Sequence, residues 1–321
     1  MPKISVISPV YNGSKYISNL IKSLKRQKFK DFEFLLINDG STDNTIDIAN
    51  KELKKSKLNY KIINQENGGQ SKARNTGIKN ATGDWIVMID SDDTIQENFL
   101  NNLFRASQVD DCDVVFCDLN RVDENSIFDE KNDEFEYNIS TGKEYFEKFF
   151  MHQVEVGPVS LFIKNDYLKK QKILFDEKSK YSEEFIFINE LFYNAKNVIH
   201  LKQRLYNYCL RKNSVSTGSS INKIVNGFNE ILKESKNYNT NSVYCQKYQK
   251  YALSRWILAT ARFSSKNLKY KNYKELLKSL SYRHYIKSLF DFPDWRIRLA
   301  SKLLFICPFA FYIIFKYRGN Y

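Results

Sequence analysis

The first 120 residues alternate short apolar segments with stretches of helical periodicity. The apolar segments typical of strands are Ile4–Ser8, Phe32–Ile37, Tyr60–Ile63, Trp85–Ile89 and Val114–Cys117. The helical stretches between them are Tyr16–Leu24, with Ser14 as its expected N-cap, Thr42–Leu53 and Ser71–Asn80. This alternation predicts an α/β fold with a mainly parallel sheet covered by helices on both faces. In such sheets, ligands bind beyond the carboxyl ends of the strands.

Polar or glycine-containing loops follow four consecutive predicted strands. In chain order they read Pro9-Val-Tyr-Asn-Gly13, Asn38-Asp-Gly-Ser-Thr-Asp43, Asn67-Gly-Gly69 and Asp90-Ser-Asp-Asp93. Because the carboxyl ends of parallel strands meet at one edge of the sheet, we expect these loops to form one site.

The last of these loops places three carboxylates directly after an apolar strand. Clustered carboxylates raise one another's pKa unless a cation offsets their charge. Hard divalent cations bind carboxylate oxygens and bridge to substrate phosphates, which favours a metal site for a phosphorylated ligand. The alternative is an acidic turn whose last residue, Asp93, caps the following helix.

Together with Gln70-Ser-Lys-Ala-Arg-Asn75, the four loops resemble those of the family 2 glycosyltransferases, inverting enzymes with the GT-A fold. The resemblance is to members that build bacterial cell-envelope polysaccharides. It covers roughly residues 3–215 and is firmest in the first 120 or so. It implies transfer of a hexose or N-acetylhexosamine from a UDP-sugar to an acceptor hydroxyl, with inversion and with Mn²⁺ or Mg²⁺ as cofactor.

The resemblance also implies roles for residues of the donor site. Tyr11 would stack on the uracil, and Asp39 would accept a hydrogen bond from its N3–H. Arg74 would pair with a carboxylate or phosphate, and Gly68 and Gly69 would allow close backbone approach. Pro9, Asn12 and Ser91 are also expected to line this site. The structural alternatives are strand-end packing for Tyr11, a helix-surface position for Arg74 and ordinary turns for the others.

In the acidic loop, the resemblance assigns the metal to Asp92, with Asp90 as a second ligand. Asp90 would also contact the ribose, the sugar or a metal-bound water. Asp93 is either a backup metal ligand or the cap of the next helix, and we favour the cap. The cation would act as a Lewis acid on the departing diphosphate.

The general base of the resembling family lies in a Glu-Asp pair at the start of a later helix. Here the matching residues are Glu183 and Glu184, so a glutamate with one more methylene replaces the aspartate. Glu184 is the first candidate for the base and Glu183 the second. The alternative is that both acids only complement a helix N-terminus capped by Ser182.

Two later segments also resemble the family. Arg211 and Ser214 match a closing segment that would cover the diphosphate; the alternative is a basic surface loop. Arg255-Trp256 matches the end of the motif of processive members but lacks its glutamine, which favours addition of one sugar or a few per acceptor.

The C-terminal part differs in composition. We expect a catalytic domain at residues 1–217 and a helical region at 218–321. The apolar run Leu303–Phe315 is too short for a spanning helix, which needs about 20 residues. Basic residues flank it, so about residues 296–318 are expected to lie at the cytoplasmic face of a membrane as an interfacial segment. The alternative is a buried terminal helix.

Composition leaves other protein classes open. The net charge of +13 fits nucleic acid, an anionic membrane or phosphorylated substrates. The acidic cluster argues against nucleic acid, and PVYNG in place of GxGxxG argues against a nicotinamide-dependent dehydrogenase. A catalytically inactive sugar-nucleotide-binding homologue stays open. Scattered cysteines and the absence of a signal peptide favour the cytoplasm. The proposed acceptor is a lipid-linked saccharide or a cell-envelope polymer precursor; a homodimer through the C-terminal helices stays open.

Overall fold

The computed structural model describes residues 2–123, 134–179, 181–210, 220–238 and 242–317. The chain forms two compact units. The first comprises Met1–Tyr145, Glu155–Lys178 and Glu183–Thr217, and the second comprises Phe146–Val154, Ser179–Ser182 and Gly218–Tyr321. The functional division into residues 1–217 and 218–321 stays a prediction.

Nine strands form one sheet within the described part of the first unit. They are β1 (Ile4–Val10), β2 (Phe32–Asp39), β3 (Asn59–Gln65), β4 (Trp85–Met88), β5 (Thr94–Ile95), β6 (Val114–Asp123), β7 (Tyr137–Thr141), β8 (Leu161–Lys164) and β9 (Asn197–Leu210). Their order is β3-β2-β1-β4-β8-β6-β9-β5, with β7 also paired to β9. β1 to β4 are mutually parallel, as are β6 and β9, whereas β5, β7 and β8 run antiparallel to their partners. The predicted mainly parallel α/β sheet is therefore confirmed.

The helices of the first unit lie between these strands. They are α1 (Ile17–Arg26), α2 (Thr45–Lys54), α3 (Gln70–Asn80), α4 (Phe99–Ala106), α5 (Gly142–Phe150), whose C-terminal half belongs to the second unit, α6 (Asn165–Gln171) and α7 (Glu183–Asn194). The predicted N-cap of α1 is wrong, because Tyr16 occupies the N-cap position and its side chain does not cap the helix. Ser14 instead donates its backbone N–H to Asp43 at 3.2 Å.

Close packing fixes α3 against the centre of the sheet. β1 is buried along its whole length. A Cβ atom on Gly77 of α3 would lie 2.2 Å from Cγ2 of Ile7 in β1. Only a glycine lets the helix approach the strand this closely, so the N-terminal turns of α3 are held at the carboxyl edge of the sheet.

The second unit is helical beyond residue 220. Its helices are α8 (Ile221–Glu234), α9 (Val243–Asn267), α10 (Tyr270–Ser279), α11 (Tyr282–Ile286), α12 (Trp295–Ile306) and α13 (Pro308–Tyr317). Arg255 donates to the carbonyl of Met151 at 2.9 Å, and Trp256 lies 5.8 Å from Phe228 between ring centroids. These contacts give the Arg-Trp pair a packing role. Among the described residues, no helix has both the length and the hydropathy needed to span a bilayer.

Candidate active site

Asn12 joins the loops that follow β1 and β2. Its backbone is left-handed, with φ of 49°. Its side-chain Oδ1 accepts a hydrogen bond from the Thr42 N–H at 2.8 Å, and its backbone N–H donates to Oγ of Ser41 at 3.0 Å. Beside it, Tyr11 is 54% exposed, so its ring is accessible to a ligand. The loops meet at one edge of the sheet, as the sequence predicts.

Asp39 organises the glycine loop after β3. Its Oδ1 accepts from the Gly68 N–H and its Oδ2 from the Gly69 N–H, both at 2.9 Å, while Gln65 donates to Oδ1 at 2.7 Å. Gly69 has a φ of +86°, a conformation that glycine adopts without a steric penalty. Asp39 is buried, yet its Oδ2 retains capacity for a second donor, since a carboxylate offers about four acceptor sites.

Two side chains in the first turns of α3 contact the acidic loop. Gln70 and Arg74 are four residues apart and therefore share one face of the helix. Gln70 donates to Oδ1 of Asp90 at 3.2 Å. Arg74 donates through Nη2 to the same oxygen at 3.2 Å and through Nη1 to Oε1 of Glu184 at 2.9 Å.

Arg74 is fully buried and still charged. Its side chain is 0% exposed, whereas those of Asp90 and Glu184 are 23% and 46% exposed. Burial opposes the positive charge, but the two carboxylates outweigh it and raise the pKa of Arg74. The guanidinium also lies 5.1 Å from the ring centroid of Phe175. Its Nε–H has no acceptor among the described residues, which leaves one donor for a water or a substrate oxygen.

Strand β9 holds the acidic loop from below. The Tyr206 hydroxyl donates to Oδ2 of Asp93 at 2.8 Å and accepts from the Asp90 N–H at 3.1 Å. The Cys209 N–H donates to Oδ1 of Asp93 at 2.9 Å. Burial raises the pKa of Asp93 to about 7; the Cys209 N–H lowers it, the Asp90 charge raises it and the Tyr206 hydroxyl lowers it. Asp93 is thus an internal support of the loop.

The predicted helix cap at Asp93 is wrong. Helix α4 begins at Phe99 with Asn98 as its N-cap, and strand β5 intervenes between the acidic loop and that helix. The backbone N–H of Asp93 instead donates to the Asp90 carbonyl at 3.1 Å, which closes a tight turn.

The donor set of this turn fits a hard divalent cation. Carboxylate oxygens of Asp90, Asp92 and Asp93 all lie within 4.8 Å of one another, and oxygen ligands suit Mg²⁺ and Mn²⁺. Both oxygens of Asp93 already accept hydrogen bonds from β9, and Oδ1 of Asp90 accepts two. Asp92 and Oδ2 of Asp90 could hold such a cation together.

The remaining predicted residues lie in different places. Glu183 and Glu184 are in the first turn of α7, and Glu184 is paired with Arg74. Pro9 is buried within β1, and Ser91 is half-buried in the acidic turn, near the position that a Cβ on Gly13 would take. Arg211 and Ser214 lie outside the described residues.

Sequence reasoning missed the two side chains that link these motifs. No role is predicted from the sequence for Tyr206 or for Gln70. The i, i+4 spacing of Gln70 and Arg74 is a signal that could have placed both on one helix face. Nothing in the sequence pairs Tyr206 with Asp93, since 113 residues separate them.

Solved structures share this fold. S. aureus TarS residues 1–349 in complex with UDP-GlcNAc aligns with a TM-score of 0.69 at 22% identity, covering 99% of this chain and 94% of that chain. The mannosyltransferase PcManGT of Pyrobaculum calidifontis, in complex with GDP-Man and Mn²⁺, aligns with a TM-score of 0.57 at 13% identity, covering 96% and 88%. At these identities the likeness establishes the fold, which is GT-A.

Residues 5–169 match the family model described as Glycosyl transferase family 2. Because the match covers just over half of the sequence, this chain belongs to glycosyl transferase family 2 and is a glycosyltransferase.

Two relatives have a named activity. The cholesterol galactosyltransferase of Borreliella burgdorferi is 28% identical over 326 residues, covering 91% of this chain and 85% of that protein. The poly(ribitol-phosphate) beta-N-acetylglucosaminyltransferase TarS of Staphylococcus aureus is 29% identical over 225 residues, covering 66% and 36%. The chain spans only 31% to 63% of the length of three curated glycosyltransferases from Bacillus subtilis and Streptococcus pneumoniae.

Proposed function

We propose that this glycosyltransferase transfers a hexose or N-acetylhexosamine from a UDP-sugar to a hydroxyl of a lipid-linked saccharide or another cell-envelope polymer precursor. The reaction is metal-dependent, inverts the anomeric carbon and adds one sugar or a few per acceptor. The observation that carries this proposal is the buried Arg74, which holds an acid of the metal-binding turn and the candidate base in one charged unit.

The first three loops supply the donor site. The exposed ring of Tyr11 offers a surface for the uracil, and Oδ2 of Asp39 offers an acceptor for the base N–H beside Gly69. The UDP-GlcNAc complex of the TarS structure supports a uridine donor for this fold.

The acidic turn supplies the metal site. Asp92, with Oδ2 of Asp90, would hold Mn²⁺ or Mg²⁺, and the cation would neutralise the charge that develops on the departing diphosphate. Mn²⁺ in the PcManGT complex supports a divalent cation in this fold. Asp93 and Tyr206 keep the turn in place from inside the protein.

Glu184 acts as the general base. As the acceptor oxygen attacks the anomeric carbon, its proton passes to a Glu184 carboxylate oxygen, and the bond from the anomeric carbon to the UDP oxygen breaks. UDP leaves with the bonding electron pair, so the charges balance. Because Arg74 holds Oε1 at 2.9 Å, the longer glutamate side chain is restrained, although it is 46% exposed.

The acceptor and the location follow from charge. The net charge of +13 favours acceptors that carry phosphate, which lipid-linked saccharides do. The corresponding location is the cytoplasmic face of the membrane, where the chain acts as a peripheral protein. The activities of the two relatives, on poly(ribitol-phosphate) and on cholesterol, support an acceptor that is a phosphate-containing polymer or a lipid.

Calorimetric binding of UDP, with and without Mn²⁺, tests the metal site directly. We expect Mn²⁺ to strengthen UDP binding. Asp92→Asn deletes a charged metal ligand and should therefore weaken UDP binding in the presence of Mn²⁺ by at least about tenfold. Asp110→Asn, an exposed acid of the same unit, is the matched control and should bind like the native chain. UDP binding that is the same with and without Mn²⁺, and the same for Asp92→Asn as for the native chain, would contradict the metal role. Binding without any transfer would instead favour the inactive homologue.

A further inference from the structure

The last two helices leave a set of large apolar side chains uncovered. Seven side chains of α12 and α13 are 37% to 76% exposed. We call them the α12–α13 apolar face: Trp295, Leu299, Ile306, Phe309, Ile313, Ile314 and Tyr317. They are seven of the sixteen exposed large hydrophobic residues among those described, although the two helices span only residues 295–317. Exposed apolar residues concentrated in this way mark an interaction surface.

Helical spacing shows that the exposure is regular. In α13, Phe309, Ile313 and Tyr317 are four residues apart, which places them along one stripe. The opposite side of α13 is packed: Phe311 and Tyr312 are buried, and the Tyr312 hydroxyl donates to the Leu268 carbonyl at 2.9 Å. The uncovered stripe therefore belongs to a helix that is already anchored in its unit.

Helix α12 repeats this arrangement. Trp295, Leu299 and Ile306 are separated by four and seven residues and are exposed, while Ser301 and Leu304 are buried. Pro308 begins α13 directly after Cys307, so the apolar run predicted from the sequence becomes two short helices. Neither is long enough to cross a bilayer.

The charge of this surface indicates which partner binds it, a second copy of the chain or a lipid bilayer. Residues 295–317 contain four basic residues and no Asp or Glu. They are Arg296, Arg298, Lys302 and Lys316. A second copy of the chain would bring like charges together, whereas an anionic lipid surface complements them. Tryptophan and tyrosine at the ends of the face suit the boundary between headgroups and acyl chains.

We propose that the α12–α13 apolar face docks on the surface of an anionic lipid bilayer and lies within its interface. This deepens the proposed function, because it rests on the idea that the acceptor is embedded in a membrane. The basic side chains contact the headgroups, and the apolar side chains enter the acyl boundary.

Vesicle sedimentation of the full chain tests this proposal. The probes are vesicles of phosphatidylcholine alone and of phosphatidylcholine mixed with phosphatidylglycerol. We expect binding to the mixed vesicles that weakens as salt rises, and little binding to phosphatidylcholine alone. The triple variant Leu299→Ser with Phe309→Ser and Ile313→Ser should lose at least about tenfold in partitioning.

Matched variants separate the face from general surface effects. Val243→Ser with Phe263→Ser removes two exposed apolar side chains of α9 in the same unit and should bind vesicles like the native chain. Lys302→Glu should weaken binding roughly tenfold or more, and Lys79→Glu, an exposed lysine of α3, should weaken it less.

Several outcomes would overturn the proposal. These are no binding of the native chain to anionic vesicles, equal binding of the triple variant, or conversion of a dimer to a monomer by the triple variant with vesicle binding unchanged. UDP binding, measured on the same samples, should be equal for the native chain and for all the variants. If the chain binds vesicles but does not bind UDP, the proposed function is refuted, whereas the proposal that the α12–α13 apolar face docks on a bilayer is retained.

Discussion

Arg74 is the residue on which the candidate site depends. A buried guanidinium is costly to desolvate, and it is retained here by two carboxylates that come from different parts of the chain. In the proposed mechanism, Arg74 would allow a glutamate to serve at position 184, because it fixes one of the glutamate oxygens. Arg74 connects this residue to Asp90 of the acidic turn.

Glu184→Gln tests the base at the residue scale. Glutamine keeps the size of the side chain and an oxygen that can accept from Arg74, but it cannot take a proton. We expect UDP binding to remain within a few fold of native and transfer to fall by about 10² to 10⁴. The measurements are calorimetry for UDP and UDP release during turnover.

Glu183→Gln provides the comparison in the same helical turn. Its turnover should stay close to that of the native chain. If Glu184→Gln loses UDP binding in parallel with rate, Glu184 is a donor contact or a structural residue; if Glu183→Gln is the slower variant, the base is Glu183.

At the element scale, β9 and α3 place the acidic turn. The turn lies between β4 and β5, and β9 supports it through the Tyr206 hydroxyl and the Cys209 N–H. Helix α3 approaches from the other direction with Gln70 and Arg74. The acids are thus held by two elements that also belong to the core, which restrains the turn without a bound ligand.

Tyr206→Phe tests this support. The substitution leaves the buried Asp93 without one donor and the Asp90 N–H without its acceptor, and each loss costs about 1 to 3 kcal/mol. We expect the free energy of unfolding to fall by about 2 kcal/mol or more, measured by urea denaturation, and Mn²⁺-dependent UDP binding to weaken with it. Tyr208→Phe, two residues along the same strand and half-buried, should change stability much less. Equal effects of the two substitutions would remove the supporting role of Tyr206.

The sequence was most informative about elements with local patterns. The first four strands and α1 to α3 were predicted within a few residues, because apolar runs and helical periodicity are encoded locally. The short strand β5 and the exposed strand β7 lack an apolar run and were not predicted.

The sequence predicts residues of the candidate site but not the hydrogen bonds that connect them. The loops that carry Asp39, Asp90 and Asp92 were identified because they follow parallel strands. The bond from Arg74 to Glu184 spans 110 residues of sequence, and it depends on packing that no local pattern encodes. For the same reason the burial of Asp93 was missed, and it was expected to be a helix cap.

On the scale of the whole molecule, the chain combines a catalytic α/β unit with a helical unit that carries a basic, apolar surface. The proposed chemistry needs only residues of the first unit, and the proposed membrane contact needs only residues of the second. The two proposals can therefore fail separately. Their combination accounts for the net charge of +13 without invoking nucleic acid, which the acidic turn at the sheet edge disfavours.

The most direct test of the central claim is UDP release from a panel of UDP-sugars by the purified full chain, with Mn²⁺ and then with a chelator. We predict slow release from one UDP-sugar that the chelator abolishes, that Asp92→Asn lacks, and that a saccharide acceptor accelerates. UDP release that persists undiminished in chelator would contradict the metal-dependent mechanism. No release from any UDP-sugar, together with no calorimetric binding of UDP, would contradict the assignment of a uridine donor.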